Sequence, residues 1–526
     1  MRAMKTNSLT VQLLQVVAVA AASLLASVAQ AAAPGITGPT FNLEASAAFI
    51  SQPDGTSVYS WGYGCSAAPA GYAPTAIAGA SCGAMQLPGP TLIVTAGKSV
   101  SVTLTNALPT AAGNTSILFP GFTVTTSGGV AGPLTREAAP GGTVTYTFTA
   151  TTPGTHAYYS GTQGDLQVEM GLYGAIIVLP AAAQTNCVAL NAQPAHYIAA
   201  GNTAEADFRL AANAYDHAST CYDREYLFQF SEIDLKIHNE ALDQVTAKGA
   251  CVAGAVGCSL NVQTEPYHPT YFMINGRSMP DDMDPNYAPA YPNQPYNGNP
   301  HMHPGELTLL RIVGQGHWQH PFHEHGNHVR VLARDGNLLL SATDPTKLAG
   351  PLMFTTTTTP GQAMDGIFQW TGKGLNWDVY AHGYTSDTGL TGSACVADTN
   401  GYYTSATAAP NYYEWCGDHN KPLEANPSGL VGSGGPMTLP DPNIVTNGPW
   451  YSGTAYLGPD AAGRAVGATP IPPSGTVANN STTEAGFAYM WHSHNEREIT
   501  TGNIFPGGML MMMLVDPRAF QIDESN

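Results

Sequence analysis

The sequence predicts an all-β protein with more than one domain. Only 10% of its 526 residues are charged and 43% are hydrophobic, while glycine and proline number 57 and 40. This composition favours many short strands joined by turns and does not indicate a disordered chain. Behind an N-terminal export segment, the length leaves room for two large or three small domains of this kind.

The first 31 residues are predicted to be a signal peptide. Arg2 and Lys5 precede an apolar stretch near residues 13–28, and Ala29-Gln30-Ala31 has the small-x-small pattern of a cleavage site. No later segment is apolar and long enough to span a bilayer. We therefore expect an exported protein, periplasmic or extracellular, without a membrane span.

The chain is strongly acidic, which limits its partners. Removal of Arg2 and Lys5, the only ionisable side chains of the export segment, takes the formal charge from −19 to −21. Such a charge argues against nucleic acid or an anionic membrane as a partner. A small molecule or a metal ion remains possible as a substrate.

The first domain is predicted over residues 32–180. Runs with the composition of strands cover residues 91–95, 99–105, 143–149 and 174–179, and Pro-Gly and Gly-Gly turn signals separate them. A linker rich in alanine and asparagine is predicted over residues 181–220.

The second domain is predicted over residues 221–526. Its strand-like runs are residues 225–233, 271–277, 306–313, 328–333, 487–491 and 508–515, with a further edge strand at 355–359. Between about residues 376 and 484 lies an insertion rich in glycine, proline, asparagine and tyrosine. Structureless loops of this length are uncommon unless they are functional or disordered. A cover over a functional site and a plain surface insertion are both open interpretations.

Eight cysteines lie in the mature chain, and an even number in an exported protein predicts disulfides. We expect pairing between sequence neighbours, although spacing alone does not fix the connectivity. None of the cysteines has the spacing of a zinc ribbon, so cysteine metal ligation is not expected. The eight positions are Cys65, Cys82, Cys187, Cys221, Cys251, Cys258, Cys395 and Cys416.

Two histidine strings carry the strongest functional signal. They are His320-Pro321-Phe322-His323-Glu324-His325-Gly326 and His492-Ser493-His494. Alternate side chains of a strand point to the same face, so each H-x-H unit directs two imidazoles at one place. Four converging imidazoles suit copper or zinc far better than magnesium or calcium. The alternative is a set of histidines hydrogen-bonded within a polar core.

Other residues near these strings have more than one interpretation. His320 is a further candidate ligand, or it holds a neighbouring carbonyl or carboxylate. Glu324 and Glu498 offer a carboxylate ligand or a proton relay, but solvated or salt-bridged carboxylates are the more common case. The methionines at 509 and 511–513 supply soft copper ligands in principle, yet their apolar run predicts a core strand.

Several motifs resemble the multicopper oxidase family, whose domains are Greek-key β-sandwiches of the cupredoxin type. The resemblance rests on Pro88-Gly89-Pro90-Thr91-Leu92, on Gly171-Leu172-Tyr173-Gly174, on Asn275-Gly276-Arg277, and above all on the first histidine string. It implies tandem cupredoxin-like sandwiches, copper as the cofactor and oxidoreductase activity. In this family, His320 would serve a type 1 copper, and His323, His325, His492 and His494 would serve a trinuclear cluster.

The departures from the family pattern are as informative as the matches. Ser493 stands where the family has the type 1 cysteine, and a neutral hydroxyl does not replace a soft thiolate. Glu498 stands at the spacing of the second type 1 histidine. The first-domain histidine strings are replaced by Leu118-Phe119-Pro120 and Tyr159-Ser160-Gly161, so four of the usual eight cluster histidines are absent. Ordinary four-electron laccase chemistry is therefore excluded.

The sequence thus predicts a copper-binding oxidoreductase with a reduced histidine site holding one or two ions per chain. Copper is preferred to zinc because of the resemblance and because copper binds nitrogen sites more tightly. Two alternatives stay open: a non-catalytic protein that binds or buffers copper, and a structural surface protein that keeps the fold alone. Two-domain relatives of the family form oligomers, so a homo-oligomer is considered as well.

Overall fold

The computed structural model describes residues 33–75, 77–187, 207–373, 397–404, 415, 453–457, 485–516 and 522. The predicted signal peptide lies outside these residues, as does most of the predicted insertion. Within them, no helix is long and apolar enough to cross a membrane.

Two five-stranded sheets form the first sandwich. One sheet has the order β11-β12-β5-β1-β4 and the other β3-β2-β6-β10-β7, and β8 pairs with β9 as a short ribbon. The strands are β1 (Gly35–Thr37), β2 (Thr40–Ser51), β3 (Ser57–Cys65), β4 (Tyr72–Ala73), β5 (Leu92–Thr95), β6 (Ser99–Asn106), β7 (Thr125–Gly128), β8 (Val130–Ala131), β9 (Arg136–Glu137), β10 (Thr143–Thr149), β11 (Gly154–Tyr159) and β12 (Tyr173–Leu179).

Period-two patterning builds the core of this sandwich. In β10, Val144, Tyr146 and Phe148 are buried while the intervening threonines are more exposed. Side chains of a strand alternate between its faces, so one face of β10 lies in the core and the other towards solvent. Strand β6, which pairs with β10 along its whole length, shows the same alternation.

A seven-stranded and a six-stranded sheet form the second sandwich. The first has the order β14-β13-β16-β22-β18-β19 with β20 beside β18, and the second β15-β25-β24-β17-β21 with β23 beside β24. The strands are β13 (Arg224–Ile233), β14 (Tyr271–Ile274), β15 (His301–Met302), β16 (Leu307–Gly314), β17 (His320–Glu324), β18 (Val329–Arg334), β19 (Asn337–Leu338), β20 (Leu352–Met353), β21 (Thr355–Thr358), β22 (Ala363–Gln369), β23 (Gly453–Leu457), β24 (Ala485–Ser493) and β25 (Leu510–Val515).

Strand β13 is buried along its whole length because both of its faces are covered. Phe228 and Phe230 lie in the core of the second sandwich. Leu227, on the other face, packs with Ile93 and Ile177 of the first sandwich. The two sandwiches therefore share an apolar contact, and polar residues of β13 are held close to both.

The helices α1 (Gly164–Gln167) and α2 (Leu235–Lys248) lie among the described residues. Helix α2 was not predicted. It starts where the Asp234 side chain accepts a hydrogen bond from the Lys236 amide, and it ends at Gly249, whose φ is 50°. Its residues Ile237 and Ala241 pack into the first sandwich.

Three of the four expected disulfides are confirmed. They are Cys65–Cys82, Cys187–Cys221 and Cys251–Cys258. Cys395 and Cys416 lie outside the described residues, so their pairing stays a prediction.

The predicted all-β fold of tandem β-sandwiches is confirmed for the described residues. The strand predicted over residues 271–277 ends earlier, at Ile274, because Asn275 and Gly276 have φ values of 53° and 82° and turn the chain. His301–Met302 form a short buried strand beside β25. The domain boundaries at 180 and 221 stay predictions.

Candidate metal centre

The two histidine strings lie on neighbouring antiparallel strands. In the register of β17 and β24, His323 is opposite His492 and Phe322 is opposite Ser493. Because side chains alternate along each strand, His323 and His492 project from one face of the pair and Phe322 and Ser493 from the other. Residues far apart in sequence are thereby brought to a single place.

The four predicted ligand histidines cluster together. Ring centroids of His323 lie 4.6 Å from His325, 5.5 Å from His492 and 4.9 Å from His494. The His325 and His492 centroids are 5.1 Å apart, and those of His492 and His494 are 5.7 Å apart. We call these four residues the histidine cluster.

Hydrogen bonds of the Nδ1 atoms orient two of the rings. His492 Nδ1 lies 2.7 Å from the Ser493 carbonyl oxygen, which only accepts, so this nitrogen carries a proton. His323 Nδ1 lies 2.8 Å from Thr355 Oγ1. When Nδ1 holds the proton, Nε2 carries the lone pair, and such bonds commonly fix the tautomer of a metal-binding histidine.

Two Nε2 atoms face each other at a distance that suits a shared ion. His325 Nε2 and His492 Nε2 are 3.2 Å apart. Two nitrogens bound to one ion at about 2.0–2.1 Å in tetrahedral geometry are about 3.3 Å apart. In the absence of metal the same distance suits an N–H···N hydrogen bond between the rings.

Burial keeps His323 and His492 in the form that binds metals. Removal from water lowers the pKa of His323 to about 4 and also lowers the pKa of His492. Both imidazoles are therefore neutral at pH 7, as a ligand must be. The His494 side chain is 53% exposed, so solvent reaches the cluster from this side.

Not all donor atoms of the cluster point to one centre. Among the described residues, no group of three or more His, Cys, Asp or Glu side chains is already arranged to hold a metal ion. Small rotations of the rings, easiest for the half-exposed His494, would be required for several of them to share an ion.

His320, the fifth predicted ligand, lies on the other side of β17 from His323 and His325. Its ring is fully buried between two carboxylates: Nε2 is 2.9 Å from Glu232 Oε2, and Nδ1 is 2.9 Å from Glu498 Oε2. The structure therefore places His320 apart from the histidine cluster and in the carboxylate-holding role that was its alternative interpretation.

Ser493 and Glu498 belong to the same polar group as His320. The Ser493 hydroxyl donates to Glu498 Oε2, and Asn495 Nδ2 lies 2.8 Å from Glu498 Oε1. The positions that resemble type 1 ligands are thus joined by hydrogen bonds. We call His320, Glu232, Glu498 and Ser493 the His320 network.

The sequence favoured a solvated or salt-bridged carboxylate at Glu324, but this side chain is neither. It is fully buried, and its Oε1 accepts a hydrogen bond of 2.6 Å from Thr356. Burial raises the pKa of Glu324 to about 8, so its carboxyl is mostly protonated at pH 7. The methionine run is core as predicted, with Met509, Met511 and Met513 fully buried.

The first-domain segments that replace histidine strings also lie side by side. Leu118 and Tyr159 form an antiparallel bridge, with hydrogen bonds of 2.8 and 3.3 Å between their backbones. The backbone pairing is thus present where the side chains are leucine and tyrosine. These segments supply no imidazole.

Two participants were missed by the sequence analysis. Glu232 faces His320 from a strand 88 residues away, and Thr355 contacts His323 from β21. For Glu232, the available signal was its position inside the apolar run of β13, because a buried carboxylate requires partners. The threonine run of β21 carried no comparable signal.

Comparison with known proteins finds one family match and several similar solved structures. Residues 80–183 match the model of a multicopper oxidase domain. No curated protein matches the sequence. Among solved structures, the multicopper oxidase mgLAC is 14% identical, with 92% of this chain and 87% of that chain covered and a TM-score of 0.44.

Two further solved structures come from Nitrosomonas europaea. Its blue copper oxidase is 15% identical, covering 90% of this chain and 85% of that chain, with a TM-score of 0.44. Its copper nitrite reductase is 17% identical, covering 63% of this chain and 84% of that chain, with a TM-score of 0.38. Residues 80–183 are thus similar to a multicopper oxidase domain, and the histidine string of the second sandwich lies outside this matched segment.

Proposed function

We propose that the protein is an exported copper-binding oxidoreductase whose copper is held by His323, His325, His492 and His494. The convergence of four imidazoles on one face of β17 and β24 is the observation that supports this most directly. His320 is left out of the proposed ligand set, because both of its ring nitrogens bond carboxylates.

The donor set favours copper over harder ions. Neutral imidazoles suit copper and zinc, whereas magnesium and calcium require oxygen ligands. The separation of 3.2 Å between the Nε2 atoms of His325 and His492 fits one ion bound to both. Copper in this place would supply one-electron redox chemistry, and one or two ions are proposed per chain.

The route of the electrons must differ from that of a conventional family member. Ser493 carries a hydroxyl that bonds Glu498, so the strand between His492 and His494 offers no thiolate. A reductant would have to approach the histidine cluster itself. The half-exposed His494 and the Phe354 ring, 49% exposed and 5.9 Å from the His323 ring, border that approach. This geometry supports a small molecule or a metal ion as the substrate.

The first experiment is elemental analysis with electron paramagnetic resonance on protein exported into copper-supplemented medium. We expect at least one copper per chain with an ordinary mononuclear spectrum. The copper should be lost in His323→Ala and His492→Ala. The exposed His268 supplies a matched control, since His268→Ala removes an imidazole distant in sequence from both strings.

Catalytic turnover distinguishes an enzyme from a protein that only binds and releases copper. A loaded oxidoreductase should oxidise phenols or metal ions, or consume peroxide, and lose this activity on chelation and in His492→Ala. Tight binding with release of copper and no turnover would favour the buffering alternative. Protein without bound metal after copper supplementation would contradict both, and would leave a structural role.

A further inference from the structure

The His320 network fills the position that resembles a type 1 copper site. His320, Glu232 and Glu498 are 0%, 2% and 0% exposed, and Ser493 is fully buried as well. Burial of charged groups is costly unless each finds partners. The number of donors around the two carboxylates therefore reveals the charge that each carries.

Glu232 is surrounded by donors. Its Oε1 accepts hydrogen bonds from the backbone amides of His317 at 2.6 Å and Trp318 at 2.9 Å, and lies 3.1 Å from the Tyr267 hydroxyl. Its Oε2 lies 2.9 Å from His320 Nε2. The two backbone amides only donate, and hydrogen bonds of this kind favour the ionised form of a carboxylate. Glu232 is therefore ionised, and the hydrogen on its contact with His320 belongs to Nε2.

Glu498 leads to the same result from the other side of the ring. Its Oε2 accepts from the Ser493 hydroxyl, and its Oε1 accepts from Asn495 Nδ2 at 2.8 Å. Asn495 Nδ2 only donates, and the Ser493 hydroxyl oxygen accepts from the Asn495 amide, so both partners favour an ionised Glu498, which lies 2.9 Å from His320 Nδ1. An ionised carboxylate only accepts hydrogen bonds, so Nδ1 must donate as well.

From this geometry we infer that the protein binds a proton, not a metal ion, at the place that resembles a type 1 copper site. Both nitrogens of His320 carry hydrogen, and the imidazolium lies between two carboxylates. The two nitrogens point in opposite directions, so no single ion can replace both contacts. Metal would have to displace a proton and break an ion pair that is buried on every side.

The electrostatics of the site support the same assignment. Burial alone would lower the pKa of His320, but hydrogen bonds and charges of Glu232 and Glu498 outweigh this effect and raise it to about 9. Among the described residues, the charged groups that act on His320 are Glu232 on β13 and Glu498 beyond β24.

A chain of hydrogen bonds links this proton to the boundary between the sandwiches. The Tyr267 hydroxyl lies 3.1 Å from Glu232 Oε1 and 2.7 Å from Oε2 of Glu169, which belongs to the first sandwich. Glu169 Oε2 is 3.9 Å from Nε2 of His317, whose side chain is 30% exposed. His317 lines a cavity of about 410 Å³ together with Asp165 and Gly361. Tyr267 is therefore placed to carry proton exchange between the His320 network and this cavity.

The test is nitrogen NMR of the metal-free full chain labelled with [15N]histidine. The His320 signals are assigned by their loss in His320→Gln, or, if that variant does not fold, by contacts with the Phe230 ring, whose centroid is 6.4 Å away. At pH 7.5 we expect both ring nitrogens of His320 to be protonated. Addition of diamagnetic Cu(I) should shift signals of the histidine cluster and leave both hydrogens on His320. A lone-pair nitrogen on His320, or loss of a hydrogen on Cu(I) addition, would overturn the inference.

The link through Tyr267 is measured by the exchange of the His320 Nε2 hydrogen with solvent. In Tyr267→Phe this exchange should be several-fold slower than in the wild type. Tyr271→Phe is the matched control, because its hydroxyl bonds the remote Asp54. Equal exchange in the two variants would remove Tyr267 from the pathway. The protonation result does not depend on copper at the histidine cluster, so failure of the proposed function and failure of this inference give different outcomes.

Discussion

His323 and His320, on opposite faces of the β17–β24 pair, are held in different charge states. On one face, burial lowers the pKa of His323 to about 4 and keeps its imidazole neutral. On the other face, His320 is just as buried, yet the two carboxylates beside it raise its pKa to about 9. Burial alone therefore does not decide the charge of a histidine. The presence or absence of a facing carboxylate decides it, and with it whether the ring suits a metal or a proton.

The largest expected effect is on stability, from removal of one carboxylate of the His320 network. Glu232→Ala leaves a buried imidazolium with a single counter-charge, and breaking a buried pair costs roughly 3–5 kcal/mol. We expect a clear fall in the denaturation midpoint of the metal-free protein. His325→Ala, on the other face, removes a neutral ring and should lower the midpoint less. A reversed order would contradict the contrast between the two faces.

The second prediction concerns the dependence of stability on pH. The pKa of His320 is about 9 in the folded protein, against 6.5 for an unperturbed histidine. Since the folded-state pKa is the higher one, its contribution is complete below pH 6.5 and is lost as the pH rises through 9. A shift of this size corresponds to about 3 kcal/mol. Unfolding of the metal-free protein measured between pH 6 and 9.5 should show this loss, and His320→Gln should not.

The pKa of His238 is shifted in the opposite direction to that of His320. Its ring is fully buried, its Nδ1 lies 2.6 Å from the Tyr59 carbonyl oxygen, and burial lowers its pKa to about 4. Here the folded-state pKa is the lower one, so stability is complete above pH 6.5 and falls as the pH drops towards 4, by up to about 3 kcal/mol. His238→Gln should flatten the acid limb of the profile and leave the alkaline limb unchanged. An unaltered acid limb would contradict this assignment.

A smaller effect is expected from the hydrogen bond that orients His323. Thr355→Val removes the Oγ1 atom that lies 2.8 Å from His323 Nδ1. Loss of such an orienting partner typically costs 10–100-fold in metal affinity. Copper titration should show a decrease in this range with unchanged stoichiometry. Thr357→Val is the matched control, because Thr357 is the exposed residue of the same strand. Equal affinities in the two variants would mean that Thr355 does not orient the ring.

The sequence was sufficient for elements whose cause is local. Alternation predicted residues 143–149 as a strand, and β10 covers Thr143–Thr149. The same alternation predicted that each H-x-H unit presents two rings to one face. The type 1 position was not predictable in this way. Its decisive partner, Glu232, approaches His320 from a strand 88 residues away, and the pairing of sheets across a sandwich is not encoded in the local pattern. Helix α2 was missed because the polar stretch after β13 gave only a weak apolar periodicity.

The smallest expected effect tests what excludes copper from the face that carries His320. Ser493→Cys restores the residue type of a type 1 copper ligand, yet we expect no intense blue absorption from the copper-loaded variant. His320 would still be bonded through both nitrogens to carboxylates, and Glu498 would still stand in place of a second histidine. Absence of the thiol is thus only one of three obstacles, since a copper ion there also requires a neutral ring and another soft or nitrogen ligand.

The triple variant Ser493→Cys, Glu498→His, Glu232→Gln removes all three obstacles and is the matched comparison in visible spectroscopy. Blue colour in the single variant would mean that the His320 network yields to copper, and would refute the proton assignment. Colour in the triple variant alone would show that the carboxylates, more than the serine, exclude copper from this face.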